Sequence, residues 1–86
     1  MSYLVVIRRQ AKQKLKRLLP NDRLRITEKI RQLGRNPDDL KLDIKPLPGQ
    51  SYYRLRVGQW RIIYDRQDSI RIISIEQIKS RGDAYK

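Results

Sequence analysis

The chain has 86 residues, with 21 Lys and Arg against 9 Asp and Glu, a formal net charge of +12, and neither cysteine nor histidine. This length suits one domain, spanning residues 1–86, with a thin core. The missing cysteines exclude disulfides and thiolate chemistry, and the missing histidines remove the usual base near neutral pH and the commonest metal ligand. A domain this basic attracts polyanions: nucleic acid first, an acidic protein second, an anionic membrane third.

Tyr3 to Ile7 is a short apolar run that reads as a strand, too brief for a signal peptide or a membrane span. The expected compartment is therefore the cytoplasm. From Arg9 to Leu19, Ala11, Leu15, Leu18 and Leu19 recur at helical spacing, and Lys12, Lys14, Lys16 and Arg17 fill an outer face. Pro20-Asn21-Asp22 breaks this helix and offers side-chain oxygens to cap the next. The stripe of the second helix is Ile26, Ile30 and Leu33, supported by Leu24, and Gly34 with Pro37 reads as its stop. The two should form a short antiparallel pair.

Residues 36–50, with Pro37, Pro46, Pro48 and Gly49, read as a loop tacked to the core by Leu40, Leu42, Ile44 and Leu47, exposing Lys41 and Lys45. A β-meander follows. Tyr53–Val57 and Trp60–Tyr64 flank Gly58-Gln59, a two-residue loop that opens with Gly and suits a type II′ turn. The third run is Ile70 to Ile75, and residues 79–86 form a charged tail.

The turn dictates faces. Val57 should oppose Trp60, Arg56 oppose Arg61, and Leu55 oppose Ile62. Side chains alternate across a strand, so Leu55, Val57, Trp60, Ile62 and Tyr64 point toward the helices. Arg54, Arg56 and Arg61 take the other face, with Ile63, Ile72 and Ser74. Like charges directly opposed destabilise a sheet by about a few tenths of a kcal/mol or more. Binding phosphate would account for that cost; a merely solvated sheet face is the competing reading, as it is for the basic helix faces. Glu76, just past the third run, reads as an ordinary surface carboxylate before it reads as a general base.

The segment Tyr53-Arg54-Leu55-Arg56-Val57-Gly58-Gln59-Trp60-Arg61-Ile62-Ile63-Tyr64 resembles the central signature of the RelE/ParE toxin superfamily, and Lys79-Ser80-Arg81-Gly82-Asp83-Ala84-Tyr85 resembles its terminal motif. The order strand, two helices, loop, three strands, tail is similar too. The resemblance implies an α+β, RelE-like fold: two helices from the N-terminal half on one face of a small twisted, mainly antiparallel sheet of about four strands. It implies the toxin of a type II toxin-antitoxin system, an endoribonuclease that cuts messenger RNA on the ribosome. The 2′-hydroxyl would attack the adjacent phosphate, leaving a 2′,3′-cyclic phosphate and a 5′-hydroxyl, without metal or other cofactor. The non-enzymatic branch of the same superfamily, which inhibits DNA gyrase, and a basic module that binds RNA without cutting it are the alternatives.

By motif position, Arg61 would grip the scissile phosphate through parallel hydrogen bonds. Arg81 would clamp the transition state, and Tyr85 would stack on a base or move a proton. Arg54 and Arg56, often lysine in relatives, would position RNA or assist proton transfer, with Lys45 and Lys79 as further RNA-binding residues. Ser80 stands where several relatives carry histidine or a second basic residue. The implied partners are the ribosome, messenger RNA and an acidic RelB-like antitoxin held in a hetero-oligomer, with no membrane involved.

Overall fold

The computed structural model describes residues 2–80. The elements run β1 (Leu4–Ile7), α1 (Arg9–Arg17), α2 (Pro20–Arg35), β2 (Asp43–Pro46), β3 (Tyr52–Val57), β4 (Trp60–Gln67) and β5 (Ile72–Ser80). The strands form one sheet in the order β1-β5-β4-β3-β2, with β1 parallel to β5 and the other pairs antiparallel. This is the expected α+β arrangement with one strand more than expected. The extra strand, β2, lies inside the stretch read as a loop. Its four residues are too few for alternation to stand out, and their pairing comes from β3, which places Ile44 opposite Leu55 and Lys45 opposite Arg54. Pro46 is tolerated because β2 is an edge strand, where a missing N–H costs no ladder bond.

Pro20 decides the helix boundary. It disfavours helical backbone at the preceding residue, and both Leu18 and Leu19 are extended, so α1 stops at Arg17. Pro20 itself is the first residue of α2, where its missing N–H costs nothing. Among the described residues no side chain caps this helix; Asp22 instead places a negative charge in its first turn. Ile26, Ile30 and Leu33 are buried, whereas Leu24, two residues off the stripe and so on the opposite side, is 66% exposed. Gly34 lies within the helix rather than ending it. Its carbonyl accepts the Tyr3 N–H at 2.6 Å, and a Cβ there would stand 2.7 Å from Val5 Cγ2. The glycine is what lets α2 close on β1. α1 packs on β5, and α2 packs on β1 and β3.

The hairpin has the register read from Gly58-Gln59, with Val57 opposite Trp60, Arg56 opposite Arg61 and Leu55 opposite Ile62. Gly58 has φ +59°, as the first central position of a type II′ turn requires. Leu55, Ile62, Tyr64, Ile73 and Ile75 are fully buried beneath the helices, and Tyr53 stacks on Tyr64 with centroids 5.6 Å apart. Trp60 is partly buried, covered by the Lys14 ammonium 5.9 Å from the ring centroid. The third run differs from its expected limits. Ile70 is exposed in the preceding turn, and β5 continues through Lys79 and Ser80.

Arg66 at the end of β4 ties three segments together, a role for which its position in the chain carries no signal. Its guanidinium donates to both carboxylate oxygens of Asp38 at 2.8 and 3.1 Å and to Asp68 at 2.7 Å, and it lies over the Tyr3 ring. The Tyr3 hydroxyl also donates to Asp68 at 2.9 Å. Hydrogen bonding to Arg66 holds both carboxyls below their ordinary value of 3.8, and the same bonds push the Arg66 pKa up. A carboxyl with a lowered folded pKa adds stability that is complete above its unfolded pKa and is lost as pH falls through the folded value. The clamp should therefore hold at pH 5 and above and weaken below about pH 4. Thermal melts from pH 7 to 2.5 should show Arg66→Ala with a lower Tm at neutral pH and a shallower fall in acid. Parallel curves for the two proteins would rule the clamp out.

Candidate nucleic-acid interface

The helices cover one face of the sheet. The other carries the alternate residues of each strand, and the register lines them up. Arg56, Arg61 and Lys79 form a row across β3, β4 and β5, and Lys45, Arg54, Ile63 and Gln77 form the next row. Asp43, opposite Arg56, offsets part of this charge by accepting from Arg54 at 3.1 Å.

A cleft of about 540 Å³ opens on this face, lined by Gln10, Leu47, Gln50, Tyr52, Arg54, Arg61, Ile63, Glu76, Gln77 and Lys79. It brings together three of the basic residues singled out from the sequence: Arg54, Arg61 and Lys79. Arg61 is only 9% exposed, so its charge sits in the cleft floor rather than on an open surface. The Arg54 side chain is 13% exposed, and its buried Nε has no hydrogen-bond partner among the described residues. Cations held this way attract an anion through less water than cations on an open surface. Phosphate also offers the planar guanidinium acceptors it can meet two at a time.

Two other candidates share the face without lining the cleft. Arg56 is exposed near the hairpin turn, its Nε 3.5 Å from the Gly58 carbonyl oxygen, and Lys45 is exposed on edge strand β2. Arg81 and Tyr85 lie outside the described residues. A second groove of about 310 Å³ shares Gln10, Gln77 and Lys79 with the cleft and adds Gln13, Lys14 and Arg17 from α1. The basic side of α1 is thus continuous with the arginine cleft.

Sequence reading missed Gln10, Tyr52 and Gln77 as lining residues, and it took Glu76 for a surface carboxylate first and a general base second. Tyr52 could have been found, because it alternates with Arg54. Glu76 follows from alternation with Ser74, whereas Gln10 and Gln77 owe their places to the approach of α1 and to an irregularity in β5, neither of which has a local pattern.

The whole chain can be compared with known proteins. The family model described as the ParE toxin of the type II toxin-antitoxin system, parDE, matches residues 5–85. A RelE1 toxin homologue of Methanocaldococcus jannaschii is 38% identical over 88 residues, covering 100% of this chain and 98% of its own. Among solved structures, the archaeal RelE-RelB complex from Pyrococcus horikoshii contains a chain that superposes with a TM-score of 0.83 at 31% identity, over 95% of this chain and 98% of that one. The toxin-antitoxin complex RelBE2 from Mycobacterium tuberculosis contains one with a TM-score of 0.80 at 25% identity, over 94% of this chain and 100% of that one.

Proposed function

Since this chain belongs to the ParE toxin family, within the RelE/ParE superfamily of type II toxin-antitoxin systems, we propose that it is a metal-independent, ribosome-dependent endoribonuclease that cuts messenger RNA and so stops translation. The observation that carries this reading is the convergence of Arg54, Arg61 and Lys79 on one cleft of the open sheet face. Three cations on a rigid sheet suit a dianionic phosphorane better than a passive RNA track, because they are already oriented before charge develops.

Arg61 grips the scissile phosphate, Arg54 and Lys79 steady its neighbours, and Arg56 and Lys45 guide the strand past the cleft. The terminal motif assigns Arg81 to the transition-state charge and Tyr85 to the base or to proton movement. The 2′-oxygen attacks phosphorus and the 5′-oxygen leaves, giving a cyclic phosphate and a 5′-hydroxyl. The basic side of α1 docks on ribosomal RNA, and the ribosome orients the message in the cytoplasm. Among the described residues no helix is long and apolar enough to cross a membrane.

Relatives of this fold have been solved as RelE-RelB complexes. By analogy, the partner here is an acidic antitoxin, partly disordered until it folds onto the basic surface, whose charge speeds association. A second reading, inhibition of DNA gyrase without catalysis, is favoured by one observation, the match to the ParE toxin model.

One experiment separates these readings. The purified protein is incubated with messenger RNA in a reconstituted translation system, with and without ribosomes, and in parallel with gyrase and supercoiling substrate. Ribosome-dependent cuts ending in cyclic phosphate are expected. Intact message together with arrested supercoiling would replace the ribonuclease reading with the gyrase one.

A further inference from the structure

β4 and β5 are in register as far as Ile63 opposite Gln77, and again from Tyr64 opposite Ile75. One residue, Glu76, is left over on β5. This bulge reverses the alternation of the strand. Counted onward from buried Ile73 and Ile75, Gln77 and Lys79 would face the core and Ile78 would face solvent. Instead Ile78 is 4% exposed in the core, while Glu76, Gln77 and Lys79 all line the cleft.

Glu76 already shares the open face with Ser74, and the bulge brings Gln77 and Lys79 to the same side, so one carboxylate stands in a site otherwise made of arginine and lysine. Glu76 is held on two sides: the Ser74 hydroxyl donates to Oε2 at 2.8 Å, and Arg8 Nε lies 3.9 Å from Oε1. Its side chain is 25% exposed, facing the cleft rather than open solvent. Attack by a ribose hydroxyl needs a group that can accept a proton. Arginine cannot, because it stays protonated in proteins. Among the described lining residues Glu76 is the one carboxylate.

We propose that Glu76 is a catalytic residue, the general base that takes the proton from the attacking 2′-hydroxyl; this rests on the ribonuclease reading above. The proton passes to a Glu76 oxygen as the 2′-O–P bond forms. The P–O5′ bond breaks, the leaving 5′-oxygen takes a proton from water, and Glu76 returns its own to solvent. Arg61 and Lys79 offset the repulsion between carboxylate and phosphate. Arg8 and Ser74 keep the carboxylate oriented.

The test is single-turnover cleavage of messenger RNA on ribosomes by wild type, Glu76→Gln and Glu76→Asp, with ribosome affinity measured for each. Glutamine keeps the shape and the Ser74 contact but cannot act as the base, so cleavage should slow by about 10²–10⁴-fold with affinity unchanged. Aspartate should cut faster than glutamine. Glu76→Gln cutting within about threefold of wild type would overturn the proposal while leaving the ribonuclease reading intact. Equal losses in both variants accompanied by lost ribosome affinity would also overturn it, by showing a structural role. If wild type itself leaves the message intact, the ribonuclease reading fails and this proposal with it.

Discussion

Arg61→Ala should reduce ribosome-dependent cleavage by about 10²–10³-fold, the loss expected when one preorganised group aimed at developing charge is removed. The expectation follows from where the side chain lies. Arg61 is in the middle of the sheet, between Arg56 and Lys79, and is 9% exposed in the cleft floor. Its rotamer freedom is already spent on folding, so little entropy remains to be lost when a phosphate arrives. Arg61→Lys should recover only part of the rate, because a single ammonium cannot reproduce the planar pair of donors. Single-turnover cleavage checks the rate, and a thermal melt on the same preparation checks that the variant is folded. A variant that melts normally and cuts at the wild-type rate would remove Arg61 from the chemistry.

The largest effect on stability should come from Tyr64, at the centre of the buried face. The residue is 0% exposed and stacks on Tyr53. Tyr64→Ala leaves a cavity of aromatic size, with a cost of about 3–5 kcal/mol. Native stabilities run about 0.05–0.15 kcal/mol per residue, so in a chain this short that loss approaches the whole margin. Tyr64→Phe should behave quite differently. The hydroxyl is buried with no hydrogen-bond partner among the described residues, and that burial pushes its pKa well above the ordinary phenol value. Deleting an unsatisfied buried hydroxyl ends its desolvation cost, so Tyr64→Phe should be neutral or more stable by about 1 kcal/mol. Urea unfolding of the three proteins decides the matter. A loss above about 1 kcal/mol in Tyr64→Phe would mean that the hydroxyl is hydrogen-bonded after all.

Much of the architecture was legible because it rests on local chemistry. Gly58-Gln59 admits few turn types, and one turn sets the register of β3 against β4. That register separates Leu55, Ile62 and Tyr64 from Arg54, Arg56 and Arg61. The α2 stripe of Ile26, Ile30 and Leu33 follows from helical period in the same way. β2 was not legible, since four residues with Pro46 among them form a strand only because β3 is there to pair with. Nor was the Arg66 clamp, whose partners Tyr3, Asp38 and Asp68 are drawn from three separate segments.

The candidate site divides along the same line. The sequence alone determined that the protein is strongly cationic, that it has no histidine or cysteine to build chemistry on, and that Arg54, Arg56 and Arg61 share a sheet face. It also carried the family signature. Only the tertiary structure decided which cations meet. Lys79 reaches the cleft because the bulge at Glu76 shifts β5 by one residue, and Gln10 reaches it because α1 lies alongside that strand. A bulge is a property of two strands taken together, fixed by how Ile75 and Ile78 both find the core, and a pattern read along one strand cannot contain it.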